Sequence, residues 1–212
     1  MSITEVATDM LALLEAFSNK QSNAVLDVLA GKTLKQDEKF PDGELHFPGA
    51  GWRGFYHCHD GPGKDDREHG HFHLFVDVTD NQTMEPAWSH LAGLSVDYEG
   101  QPIRWFTVNN WVTGGKWLPA EELRQFLGTI SRNDAQSLSE QWLLCMLSLY
   151  TDSLDKLLIE RDRVLIQINA GSTLADSLLD RDIYMLSLQP VDLKQKLVSV
   201  MEATIYHEES TL

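Results

Sequence analysis

The chain has 212 residues, 42% of them hydrophobic, with a net charge of −15 and a pI near 4.8. That acidity argues against nucleic acid as a partner, because binding there depends on Lys and Arg neutralising phosphates. It argues equally against an anionic membrane surface. The apolar share is enough for a true core, and the length suits one domain of ordinary upper size or two small ones; a single domain spanning 1–212 is expected.

Cys58 and Cys145 do not make a disulfide framework, and a reducing compartment is the simpler expectation. The opening MSITEVATDMLALLEAF lacks the basic start and unbroken apolar run of a signal peptide. No stretch approaches the roughly 20 apolar residues of a membrane span. A soluble cytoplasmic protein is expected.

Residues 3–17 read as an amphipathic helix, with Val6, Met10, Leu13, Leu14 and Phe17 on one face and Thr4 as N-cap. A second helix follows, capped by Ser22 or Asn23 and ended by Gly31. These two form a helical N-terminal part, 1–31. Lys32 to Ala50 turns polar, with Pro41, Gly43, Pro48 and Gly49, and reads as a long connecting loop.

A β-sheet core is expected over 52–112. In its first strand Arg53, Phe55, His57 and His59 share a face. After a loop from Asp60 to Gly70, His71, His73, Phe75 and Asp77 share a face of the second. The other face of that strand, Phe72, Leu74, Val76 and Val78, is wholly apolar and must be buried. Past a turn at DNQTMEP, two further strands are separated by Glu99–Gly100. The third carries His90, Ala92, Leu94 and Val96 on one side; the fourth groups Ile103, Trp105, Thr107 and Asn109 opposite Arg104, Phe106 and Val108. Short connections favour an antiparallel meander of four or more strands.

Pro119 to Glu122 starts a short helix. A helical C-terminal part, 134–212, follows. Leu138, Trp142, Cys145 and Leu149 make a stripe continued by Leu154, Leu157 and Leu158, as one long helix or two abutting ones. Arg163–Ile168 fits strand or helix, and Thr173 and Pro190 each precede a helical pattern. The fold class is α+β: a central antiparallel sheet with N-terminal and C-terminal helices against its apolar face.

Five of the eight histidines, His57, His59, His69, His71 and His73, fall between Gly51 and Val78. Histidine binds zinc and late first-row metals through a neutral ring nitrogen. Two His-x-His pairs on neighbouring strands would converge if His59 opposed His71 and His57 opposed His73. His69 and His90 extend the candidate metal set. Glu68 and Asp77 are candidate carboxylates, either as catalytic base or as partners that orient an imidazole. Asn109 and Trp105 are candidate pocket-wall residues. Cys58 alternates away from His57 and His59 and is left out. The expectation is a divalent metal, zinc or iron, in an enzyme acting on a small molecule. The alternative is a binding module whose metal-free histidine pocket takes an anion or small ligand.

His71-Phe-His-Leu-Phe-Val-Asp77 is similar to the first metal motif of cupins, with Asp77 in place of its Glu and Asp65 in place of its glycine. No second cupin motif follows. Tyr56-His-Cys-His59, Glu68-His-Gly-His-Phe-His73 and Asn109-Asn-Trp-Val-Thr-Gly114 resemble the segments of an uncharacterised bacterial family of unknown function. That resemblance covers almost the whole chain and implies one structural unit; it implies no activity, cofactor or catalytic residue.

Overall fold

The computed structural model describes residues 2–47, 49, 51–79, 85–129, 135–168, 171 and 173–209, the last five without their side chains. Two helices open the chain, α1 (Ile3–Asn19) and α2 (Ala24–Leu29). Five strands follow: β1 (Phe40–Phe47), β2 (Trp52–His57), β3 (Glu68–Asp77), β4 (Trp88–Asp97) and β5 (Pro102–Val108). Then come α3 (Asn110–Thr113), α4 (Ala120–Leu127), α5 (Leu138–Leu149), α6 (Thr151–Ile168) and α7 (Leu174–Leu179). β6 (Met185–Pro190) and α8 (Leu193–Glu209) end the described chain. The strands form one sheet in chain order, antiparallel throughout.

The α+β class and central sheet stand as the hydrophobic pattern implied. α1 is capped by Ser2 rather than Thr4, through a capping box with Glu5. α2 starts at Asn23, whose carboxamide accepts from the Val25 and Leu26 amides, and ends on Ala30 in the left-handed region. The leucine stripe from 138 resolves into two abutting helices, α5 and α6, and α6 takes in Arg163–Ile168. The turn expected around Asp80 lies largely outside the described residues.

Two strands were not anticipated. β1 occupies part of the expected loop at Lys32–Ala50. Pro41 and Gly43 disguise it, and its register with β2 is interrupted between Phe40 and Leu45. Such irregularity is tolerated because β1 lies at the edge of the sheet. β6 is the other edge, six residues between helical patterns, with Leu188 exposed.

The core lies on one face of the sheet. Trp52 and Tyr56 from β2, Phe72, Leu74 and Val76 from β3, and Ala92, Leu94 and Val96 from β4 meet the apolar faces of α1, α2, α5 and α8. α5 is buried on nearly every side, with Trp142 against Phe72 at a ring separation of 5.9 Å. Among the described residues no helix is long and apolar enough to cross a membrane. A meander in chain order is not the jelly roll of cupins, so the likeness at His71–Asp77 is confined to that strand.

Candidate metal centre

The opposite face of the sheet carries the histidines, and it too is covered. β3 is buried along most of its length on both faces. The segment 58–67 and the turn around α3 close over it: Arg104 donates to the Gly63 carbonyl, and the Lys116 amide bonds the Trp88 carbonyl at 2.9 Å. His71 and His73 are 4% and 3% exposed. His57 and His59 beside them are only half-buried, so the cluster sits at the edge of the covered zone.

The β2–β3 register differs from the expected one by two residues. His57 opposes His71, and Phe55 opposes His73. A slip of two keeps every side chain on its own face, so the convergence survives the shift. β2 ends at His57, and His59 enters from the following segment. The rings of His57 and His71 lie 4.5 Å apart, His57 and His73 5.1 Å, and His71 and His73 4.8 Å. His59 lies 5.0 Å from both His57 and His71. One nitrogen from each of His57, His71 and His73 falls within 4.8 Å of the others, close enough to share an ion.

Strict alternation would place Glu68 on the core face together with Phe72 and Leu74. A bulge prevents this: Glu68 pairs with Asp97 while Gly70 already pairs with Val96, leaving His69 as the extra residue. Glu68 thereby joins the histidine face, and its Oε1 lies 2.7 Å from His71 Nδ1. His69 goes the other way, to the Tyr56 hydroxyl at 2.8 Å and the Tyr98 ring at 4.8 Å. Gly70 is the residue this bend requires, since a Cβ there would lie 2.4 Å from Tyr56 Oη and 2.6 Å from the His57 carbonyl.

A second bulge serves His90. Leu74 pairs with Ala92 but Phe75 with His90, so Leu91 is extra and both Leu91 and Ala92 enter the core. His90 turns to the histidine face, its Nε2 2.9 Å from His73 Nδ1. Gly93 clears space for the Phe106 ring, which packs on His71 and His73 at 5.3 and 5.7 Å.

Burial holds these imidazoles neutral. It lowers His57 and His90 to about 3 and His73 well below its ordinary value. His71 is also lowered, chiefly by burial, although its bond to Glu68 pulls the other way. Burial alone would raise the Glu68 carboxyl; the hydrogen bond from His71 and the nearby Arg104 hold it below the ordinary value instead. An ionised Glu68 can only accept, so His71 Nδ1 carries the proton and Nε2 presents a lone pair. That Nε2 lies 2.8 Å from His57 Nε2. Two ligands of a tetrahedral zinc stand about 3.3 Å apart, so this pair is about 0.5 Å closer than it would be around such an ion.

The remaining expected residues fall elsewhere. Asp77 folds its carboxylate onto the Thr79 amide at 2.8 Å. Trp105 is fully buried in the hydrophobic core, across the sheet from the histidines. Asn109 caps α3 and donates to the Ser177 and Asp180 carbonyls. Three neighbours of the centre were not anticipated. Arg104 lies 3.7 Å from Glu68, the Tyr184 hydroxyl 3.5 Å from His59 Nε2, and Lys39 sits over Phe55 at 4.1 Å. The alternation of β5 already set Arg104 and Phe106 opposite Trp105. Nothing local could link Tyr184 to His59, which it meets across 125 residues of chain.

A family model described as a domain of unknown function, DUF6969, matches residues 4–191. The chain belongs to that family. The match runs from α1 to the end of β6, so both edges of the sheet and every residue of the histidine centre lie inside the DUF6969 domain. No curated protein and no solved structure matches the chain significantly.

Proposed function

We propose that His57, His71 and His73 hold a divalent transition metal, zinc or Fe(II), and that this DUF6969 chain is a metal-dependent enzyme acting on a small molecule. One observation carries the reading: three imidazoles kept neutral by burial bring one nitrogen each to within 4.8 Å, and a buried carboxylate fixes the tautomer of one of them. Three histidines with an open fourth position are the donor set of catalytic zinc sites. Such a metal polarises a substrate oxygen or activates water. Glu68 acts as a positioning residue through His71, and His59 is the unclaimed imidazole beside the centre.

Metal analysis of protein purified without a nickel column tests this. The expected result is about one zinc or iron per chain, falling below roughly 0.2 in His71→Ala, as loss of one of three ligands implies. Metal-free wild type that added zinc or Fe(II) does not load would overturn the proposal. A second reading has its own support. The imidazoles also satisfy one another in pairs, His57 with His71 at 2.8 Å and His73 with His90 at 2.9 Å. A metal-free histidine pocket binding a small ligand would keep those bonds, and added metal would then leave the melting temperature unchanged.

A further inference from the structure

A cleft of about 400 Å³ opens beside the centre, within the size range of small-molecule sites. His57, His59 and His73 line it, together with Phe55 and Phe75 and with Lys39, Arg53 and Thr113. The two phenyl rings stack at 5.7 Å, a flat apolar wall next to the imidazoles.

Among the described residues, two polar atoms of this cleft's lining are buried without a hydrogen-bond partner, Arg53 Nε and Thr113 Oγ1. Both can donate, and a buried donor left unmade is costly. Arg53 is otherwise held by the Trp88 face at 4.3 Å and by Glu44 at 3.3 Å. Lys39 reaches the same Glu44 only at 3.7 Å. Asp37 also lines the cleft, so Lys39 and Arg53 are offset by Asp37 and Glu44. The protein's own groups thus leave no surplus positive charge for a phosphate dianion, whereas a carboxylate asks only for one guanidinium fork and a few donors.

We infer that the cleft binds a small organic carboxylate, its carboxyl group taken by Arg53, Lys39 and the Thr113 hydroxyl, its apolar stem lying along Phe55 and Phe75 toward the imidazoles. This rests on the metal reading above for the chemistry at the other end of the molecule. Arginine's planar fork matches a carboxylate in a way a point charge does not.

The test is calorimetric titration of zinc-treated full-length protein with acetate, benzoate and inorganic phosphate at constant ionic strength, with zinc content measured on every sample. Benzoate should bind more tightly than acetate and displace nothing from the metal count. Lys39→Gln and Thr113→Val should each weaken benzoate at least about fivefold, and Arg53→Gln at least about tenfold, the loss of a charge-assisted bond. Lys39 is largely solvent-exposed, so its variant folds even if Arg53→Gln does not. Unchanged affinity in Lys39→Gln and Thr113→Val, preference for phosphate, or no carboxylate binding at all would overturn the assignment. If carboxylates bind as described while zinc is absent, the metal reading falls and the anion site stands. Zinc at full occupancy without carboxylate binding sinks the anion site alone.

Discussion

Glu68 is worth little as a charge and much as a constraint. Its acceptance from His71 Nδ1 decides which ring nitrogen faces the centre. Glu68→Ala, which leaves no acceptor for His71 Nδ1, should therefore lower metal affinity by about 10–100-fold, the usual cost of losing a partner that orients a ligand. Competition against a chromophoric chelator measures it, and an affinity equal to wild type would show that the carboxylate does not position the ring. Gly93 answers to space alone. A Cβ there would sit 2.2 Å from Phe106 Cζ, so Gly93→Ala should cost about 1–3 kcal/mol by overpacking, read as a lower urea midpoint. At this scale the sequence was informative about which residue types gather and uninformative about their bonds. The alternation of His71 and His73 was visible, whereas Tyr184 and Lys39 reach the centre only through the fold.

Strand faces were legible wherever alternation ran unbroken, as in Phe72, Leu74 and Val76, and misleading where a residue was inserted. Glu68 sits an odd number of positions from His71, and no periodicity of two puts them together; the bulge at His69 does. Edge strands fail for a different reason. β1 holds Pro41 and Gly43, which in isolation are turn residues, and only pairing to β2 makes the segment extended. The helix ends were clearer, since a cap is a local device. Asn23 accepts from two amides at the start of α2, and Asn23→Ala should cost about 1 kcal/mol. Gly70→Ala should cost more than Asn23→Ala, because the clash is with the His57 backbone carbonyl as well as Tyr56 Oη. Comparing the two urea midpoints checks it; equal losses would mean that the bulge tolerates a side chain.

For the whole molecule, a layer of neutral histidines between sheet and roof ties stability to pH. His57 and His90 titrate at about 3 in the folded chain, against an ordinary value near 6.5 in the unfolded one. Below pH 6.5 the unfolded chain binds more protons, so stability falls as the pH falls, down to about 3. Chelator-treated protein should thus melt at progressively lower temperature from pH 7 to pH 5. The slope should be shallower in His90→Phe, and a melting temperature that stays flat or rises over that range would contradict the burial of neutral rings. Added zinc should flatten the profile near pH 7 and lose its effect in acid, as protons compete for the same nitrogens.

The two bulges carry an evolutionary consequence. Substitution exchanges one side chain for another where it stands and never transfers a position across a pleated sheet. Glu68 and His90 reached their side of it through chain length. Relatives can therefore be sorted by arithmetic: the interval from Glu68 to His71 and that from His90 to Gly93 must both be kept. A family member one residue shorter in either, with every functional letter intact, would aim that letter into the oil of its own interior.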